Sequence, residues 1–126
     1  MIPSKIRLHK QSRQLELQFG DETLLLSAEF LRVHSPSAEV KGHGPGQAVL
    51  QYGKREVAIT QVERAGNYAL KLVFDDGHNT GIYTWEYLHQ LGTQQETLWQ
   101  TYLDELHRAG KTRDANTSVV RLMDPS

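Results

Sequence analysis

Residues 68–92, "YALKLVFDDGHNTGIYTWEYLHQLG", change periodicity in mid-course, and that change decides the fold class. Up to Phe74 the pattern repeats every second residue, with Tyr68, Leu70, Leu72 and Phe74 on one face of a strand. "DDGHNTG" then reads as a turn, because Gly77 after an Asp pair takes the left-handed conformation without strain. "IYT" follows as a short edge strand or helix entry. From a threonine cap onward the spacing becomes helical, and Gly92 is placed to end that helix. A strand, a tight turn, a short strand and a capped helix in 25 residues point to sheet and helix in one small unit.

The flanking sequence extends the pattern. "RQLELQF" alternates Leu15, Leu17 and Phe19 against Gln14, Glu16 and Gln18, "GDE" turns at Gly20, and "TLLL" returns. "KIRLH" is placed to add a third strand. Ser27 caps a short helix, "AEFLRV". "AVLQY" and "REVAITQVE" read as further strands, and the turn "RAGN" makes the latter an antiparallel neighbour of the strand ending at Phe74. After Gly92, Thr93 with Glu96 three residues on matches a capping box. Leu98, Trp99, Tyr102, Leu103 and Leu106 then form an apolar stripe closed by Gly110. The expected architecture is α+β: small antiparallel sheets with the C-terminal helices packed on one side, in a two-layer arrangement. Residues 1–110 are expected to form one domain and 111–126 a disordered tail.

Composition removes several functions. The chain has 126 residues, 23% of them charged, a net charge of -1 and no cysteine. Scattered Lys and Arg, nearly matched by Asp and Glu, supply no footprint for nucleic acid. Without cysteine there are no disulfides, thiolate metal sites or cysteine nucleophiles. "MIPSKIRLHK" lacks the apolar run of a signal peptide and no later stretch suits a membrane span, so a cytoplasmic protein with no membrane contact is expected.

Two segments carry candidate chemistry. "HSPSAEVKGHGPGQ", residues 34–47, is too rich in proline and glycine for regular structure and too long for a plain connection, which marks it as a contact surface. Its glycines do not fit a P-loop or a dinucleotide fingerprint, although converging N–H groups near Gly44 and Gly46 would suit a small anion. In "FDDGHNTGIYTW", His78 with Asp76 could take up a metal ion or anion, with His34 or His43 as further donors. The six histidines show no local zinc spacing. Tyr83 and Trp85 are either core residues or, if exposed, partner anchors. No Ser- or Cys-based nucleophile motif is present, and an enzyme is not the favoured reading.

"LRVHSPSAEV", "GHGPGQ", "GNYAL" and "FDDGHNTGIYTWEYL" together resemble the gamma-butyrobetaine hydroxylase-like N-terminal domain family, in its short stand-alone bacterial form. The resemblance implies a small α+β domain. It also implies a zinc site of three cysteines after a Leu-Arg pair plus one later histidine. Matched to Leu31-Arg32, those cysteine positions carry Ser35, Ser37 and Val40 here, and only His78 remains as a ligand. With three of those four ligands missing no cofactor is expected, and zinc or iron would be held only by the less favoured site at His78. In the hydroxylases the domain precedes an iron(II)/2-oxoglutarate oxygenase domain, and elsewhere it is fused to Mrp-type ATPases carrying iron–sulfur clusters. That company implies a non-enzymatic interaction or accessory module linked to iron–sulfur or iron-dependent proteins. Its contact surface would be the 34–47 loop with the 75–85 turn, comprising Arg32, His34, His43, Gly44, Gly46, Asp76, Gly77, His78, Tyr83 and Trp85. The alternative is a metal-ion or small-anion binding protein centred on His78 and Asp76.

Overall fold

The computed structural model describes residues 1–42 and 48–115. Two antiparallel sheets of three strands each carry the fold, in the orders β1-β2-β3 and β4-β5-β6. The first comprises β1 (Lys5–His9), β2 (Gln14–Phe19) and β3 (Glu22–Ser27). Its register pairs Leu8, Leu15 and Leu26 in one row and Ile6, Leu17 and Leu24 in another. The second comprises β4 (Ile59–Ala65), β5 (Ala69–Phe74) and β6 (Gly81–Thr84). Inward rows from both sheets meet in one core with Phe30, Leu31, Trp85, Leu88 and Leu91. The α+β class and antiparallel pairing expected from the alternating runs are present. Among the described residues no helix is long and apolar enough to cross a membrane.

The described residues also form four helices: α1 (Ala28–Val33), α2 (Ala38–Lys41), α3 (Trp85–Thr93) and α4 (Gln95–Ala109). Ser27 and Thr84 cap α1 and α3 by accepting from the amides of Phe30 and Tyr87. Gly110 ends α4 in the left-handed conformation at φ 67°. The α3–α4 boundary differs from expectation. Gly92 lies inside α3, and a Cβ there would fall 2.5 Å from Leu24 Cδ1, so the glycine serves close approach of helix to sheet. Thr93 consequently caps nothing, and its hydroxyl donates back to the carbonyls of His89 and Gln90.

Three further expectations are corrected. Helix α2 interrupts the segment read as an irregular loop. "AVLQY" is not a strand: Val49 and Tyr52 are exposed, and the backbone that follows bonds to the C-terminal segment instead, Gly53 N to Thr112 O and Arg55 N to Arg113 O. Tyr68 lies just before β5 and is 58% exposed, so it does not continue the inward row of Leu70, Leu72 and Phe74.

Those same backbone bonds also show that residues 111–115, assigned from sequence to the tail, are held against the body. Arg113 forms a bidentate pair with Glu29 at 2.6 and 2.8 Å. A paired, bidentate arginine anchors a segment that has too little apolar periodicity to announce itself. The remainder of the expected tail, residues 116–126, lies outside the described residues.

Candidate functional site

The turn after β5 is built from its backbone outward. Phe74 N donates to His78 O and Gly77 N to Phe74 O, closing the loop, with Gly77 at φ 91°. The two adjacent carboxylates diverge. Asp75 accepts from the amide of Ala58, while Asp76 Oδ1 accepts from the amide of His78. Asp76 Oδ2 meets Arg32 Nε at 2.8 Å and Lys54 Nζ at 2.6 Å. Arg32, on α1 and nearly buried, sends its other arm to Gln51 Oε1. Burial alone would raise the Asp76 carboxyl, but Lys54, the His78 amide and Arg32 outweigh it and bring it down to about 2.

His78 is buried beneath this turn. Its Nε2 lies 2.8 Å from Ser35 Oγ and 3.5 Å from Ser37 Oγ, and the two hydroxyls are 3.2 Å apart. Its Nδ1 faces Glu39 Oε2 at 3.5 Å, while Glu39 Oε1 accepts from the Thr80 hydroxyl. The carboxylate favours the proton on Nδ1, which leaves Nε2 to accept from a serine hydroxyl. Serine, imidazole and carboxylate thus stand in the order of a nucleophilic triad. The geometry is closed, however: Ser35 is 1% exposed, and a Cβ on Gly81 would fall 2.8 Å from its Oγ. The β6 backbone occupies the space an acyl group would need.

The positions carrying Ser35, Ser37 and His78 converge as the resemblance implies for ligands, and Val40 on α2 is buried nearby in sequence. The residues do not fit zinc. Serine hydroxyls are poor substitutes for thiolates, and valine offers no donor. No buried side-chain polar atom among the described residues lacks a hydrogen-bond partner, so none is left orphaned for an ion to satisfy. No cluster of three or more His, Cys, Asp or Glu suited to a metal occurs among them either.

The other expected site residues scatter. His34 does not join His78: its Nδ1 donates to Phe30 O at 2.9 Å and its ring lies against Phe30. Tyr83 and Trp85 are core residues, 0% and 2% exposed, and cannot be surface anchors. The Tyr83 hydroxyl donates to Leu31 O, and Trp85 Nε1 to Asn67 O. Arg32 and His78 are likewise too buried to form part of a contact surface. His43, Gly44 and Gly46 lie outside the described residues. Lys54, Gln51, Glu39 and Thr80 were missed from sequence, since no spacing links them to Asp76 or His78.

Burial lowers His78, with Arg32 adding to the effect, and burial likewise lowers His34. Both sites therefore disfavour the imidazolium, whereas the unfolded chain protonates near the ordinary value of 6.5. Below that value the unfolded state takes up more protons, so stability is complete above it and falls as pH drops. A second loss follows as pH falls from the ordinary carboxyl value of 3.8 towards 2, where Asp76 is neutralised. Urea midpoints measured from pH 8 to 4 should decline below 6.5, and His78→Gln should flatten that decline; a midpoint independent of pH would refute it.

Fold and network together define a small α+β protein whose central polar cluster is closed and internally satisfied. The sequence profile described as "Gamma-butyrobetaine hydroxylase-like, N-terminal" matches residues 6–89, and the chain belongs to that family. Among solved structures, one determined by NMR is 58% identical, with a TM-score of 0.83 and 98% of each chain covered. A second NMR structure is 47% identical over 89% of this chain and 84% of that one, with a TM-score of 0.76. A crystal structure from Acidithiobacillus ferrooxidans ATCC 23270, of a protein of unknown function in the DUF971 family, is 41% identical. It covers 71% of this chain and 91% of its own, with a TM-score of 0.60. No curated protein matches the chain.

Proposed function

We propose that the protein is a non-enzymatic interaction module whose contact face is the outer side of residues 34–42, 48–52 and 75–80. The observation that carries this reading is the Arg32–Asp76–Lys54 network. It ties α1, the 75–78 turn and residue 54 together, while Val49 and Tyr52 remain 53% and 50% exposed between them. Apolar side chains held out beside a rigid polar framework need little ordering on binding, which favours association. The closed Ser35–His78–Glu39 arrangement supports an interaction role over catalysis. With Asp76 saturated by two cations and His78 engaged on both ring nitrogens, the geometry gives no separate support to a metal or anion site there. Iron-dependent and iron–sulfur proteins, the partner class the family resemblance implies, are the first candidates.

A photo-crosslinking residue at Tyr52 tests this in cells, with one at Thr23 on the first sheet as control. A discrete adduct at 52, absent at 23 and suppressed by excess unlabelled protein, is expected. Equal labelling at both positions, or none at 52, would sink the proposal.

A further inference from the structure

A separate cleft of about 580 Å³ opens where the β1–β2 turn, the starts of α1 and α4, the 55–57 segment and Arg113 meet. That volume lies within the range of small-molecule sites. Phe30, Val57 and Trp99 supply an apolar wall, and Arg13, Arg55 and Arg113 reach it from three distant parts of the chain. It shares no residue with the Asp76–His78 network.

The three arginines differ in how firmly they are held. Arg113 is bidentate on Glu29, whose side chain is 6% exposed, and its guanidinium lies 5.0 Å from the Trp99 ring. It is part of the wall. Arg13 meets Glu56 at 3.1 Å and Arg55 meets Asp114 at 2.7 Å, in pairs that are about half exposed or more. Such pairs contribute little and exchange readily. Arg13 also sits at φ 56°, the only non-glycine at positive φ among the described residues, while its carbonyl accepts from Ala28 N. That conformation closes the four-residue turn between β1 and β2, and it places the Arg13 side chain at the cleft.

We propose that this cleft binds a small organic anion, a carboxylate or phosphate ester on a flat apolar body. Arg13 and Arg55 grip the oxyanion together, displacing Glu56 and Asp114, which hold them only through exposed, readily exchanged pairs. Phe30, Val57 and Trp99 pack the body. Glu96, which lines the Trp99 side, sets the orientation by repelling the charged end.

Titration of 1-naphthyl phosphate into the ¹⁵N-labelled full chain tests the site. Saturable amide shifts confined to Arg13, the start of α1, residues 55–57 and the start of α4 are expected. Arg13→Gln and Arg55→Gln should each weaken binding about tenfold, the scale of one charge-assisted hydrogen bond. Glu56→Gln should strengthen it by freeing Arg13, a gain that no folding defect imitates. Inorganic phosphate and 1-naphthol should each bind far more weakly. The proposal is overturned by the absence of saturation, by shifts elsewhere, or by binding indifferent to Arg55→Gln and Glu56→Gln. Inorganic phosphate binding as tightly as the ester would equally overturn it, since the apolar wall would then have no part.

Discussion

Asp76→Ala is expected to lower the free energy of unfolding by about 3 kcal/mol, the largest effect of any exchange in the network. The carboxylate neutralises Arg32, whose side chain is 9% exposed, and Lys54, 22% exposed, and it accepts the amide of His78. Removing it leaves a nearly buried guanidinium without its counter-charge, and that desolvated charge accounts for most of the loss. Because Asp76 itself is 21% exposed, water can enter and reduce the cost below that of a fully buried pair. Asp76→Asn keeps an acceptor for the His78 amide and should lose less. Urea unfolding at pH 7 measures both. Pairing Asp76→Leu with Arg32→Met should cost less than the sum of the single changes, because neither charge is then stranded. A loss under about 1 kcal/mol for Asp76→Ala would show that solvent replaces the carboxylate and that the network does not stiffen the turn.

The second large effect is expected at Arg113, in a segment that sequence patterning assigns to a loose tail. Arg113→Ala leaves the Glu29 carboxylate, 6% exposed, with no cation on it. A loss of about 2–4 kcal/mol is expected at neutral pH. Part of it comes from the stacking of the guanidinium over Trp99 at 5.0 Å. Most of the rest comes from leaving that carboxylate charged and unpaired in a buried position. Glu29→Gln in the same background should recover part of the stability for the same reason. Loss of the amide-exchange protection of Gly53 and Arg55, which donate to the carbonyls of Thr112 and Arg113, should accompany it. An unchanged midpoint with intact protection would mean the 111–115 segment is not held by this pair.

Much of the framework was legible in residue order. Leu15, Leu17 and Phe19 alternate, and the register seats all of them in the core. Ser27 and Thr84 were recognisable as caps because capping depends on the residue and the amides two or three places onward. Gly77 and Gly110 were recognisable because a left-handed backbone is a local demand. Gly92 misled for an instructive reason. A glycine near a helix end reads as a stop signal, yet this one serves contact with Leu24, which lies far away in the chain. Tyr83 and Trp85 stood equally well for core or surface, since an aromatic ring suits either until its neighbours are known.

The candidate site was legible only in its parts. Sequence marked Asp76 and His78 as chemically suited to binding, and the family resemblance marked Ser35, Ser37 and Val40 as positions that belong with His78. What those groups do depends on partners that sequence does not join. Arg32 and Asp76 are 44 residues apart, and Glu29 and Arg113 are 84 apart. Periodicity, caps and turn preferences act over a few residues, so the order of residues by itself determined most of the elements, the antiparallel pairing and the class. Burial and charge pairing are sums over neighbours brought together by folding. Only the tertiary structure therefore decided that His78 is closed in by serines, that Asp76 is already satisfied, and that three distant arginines share a cleft.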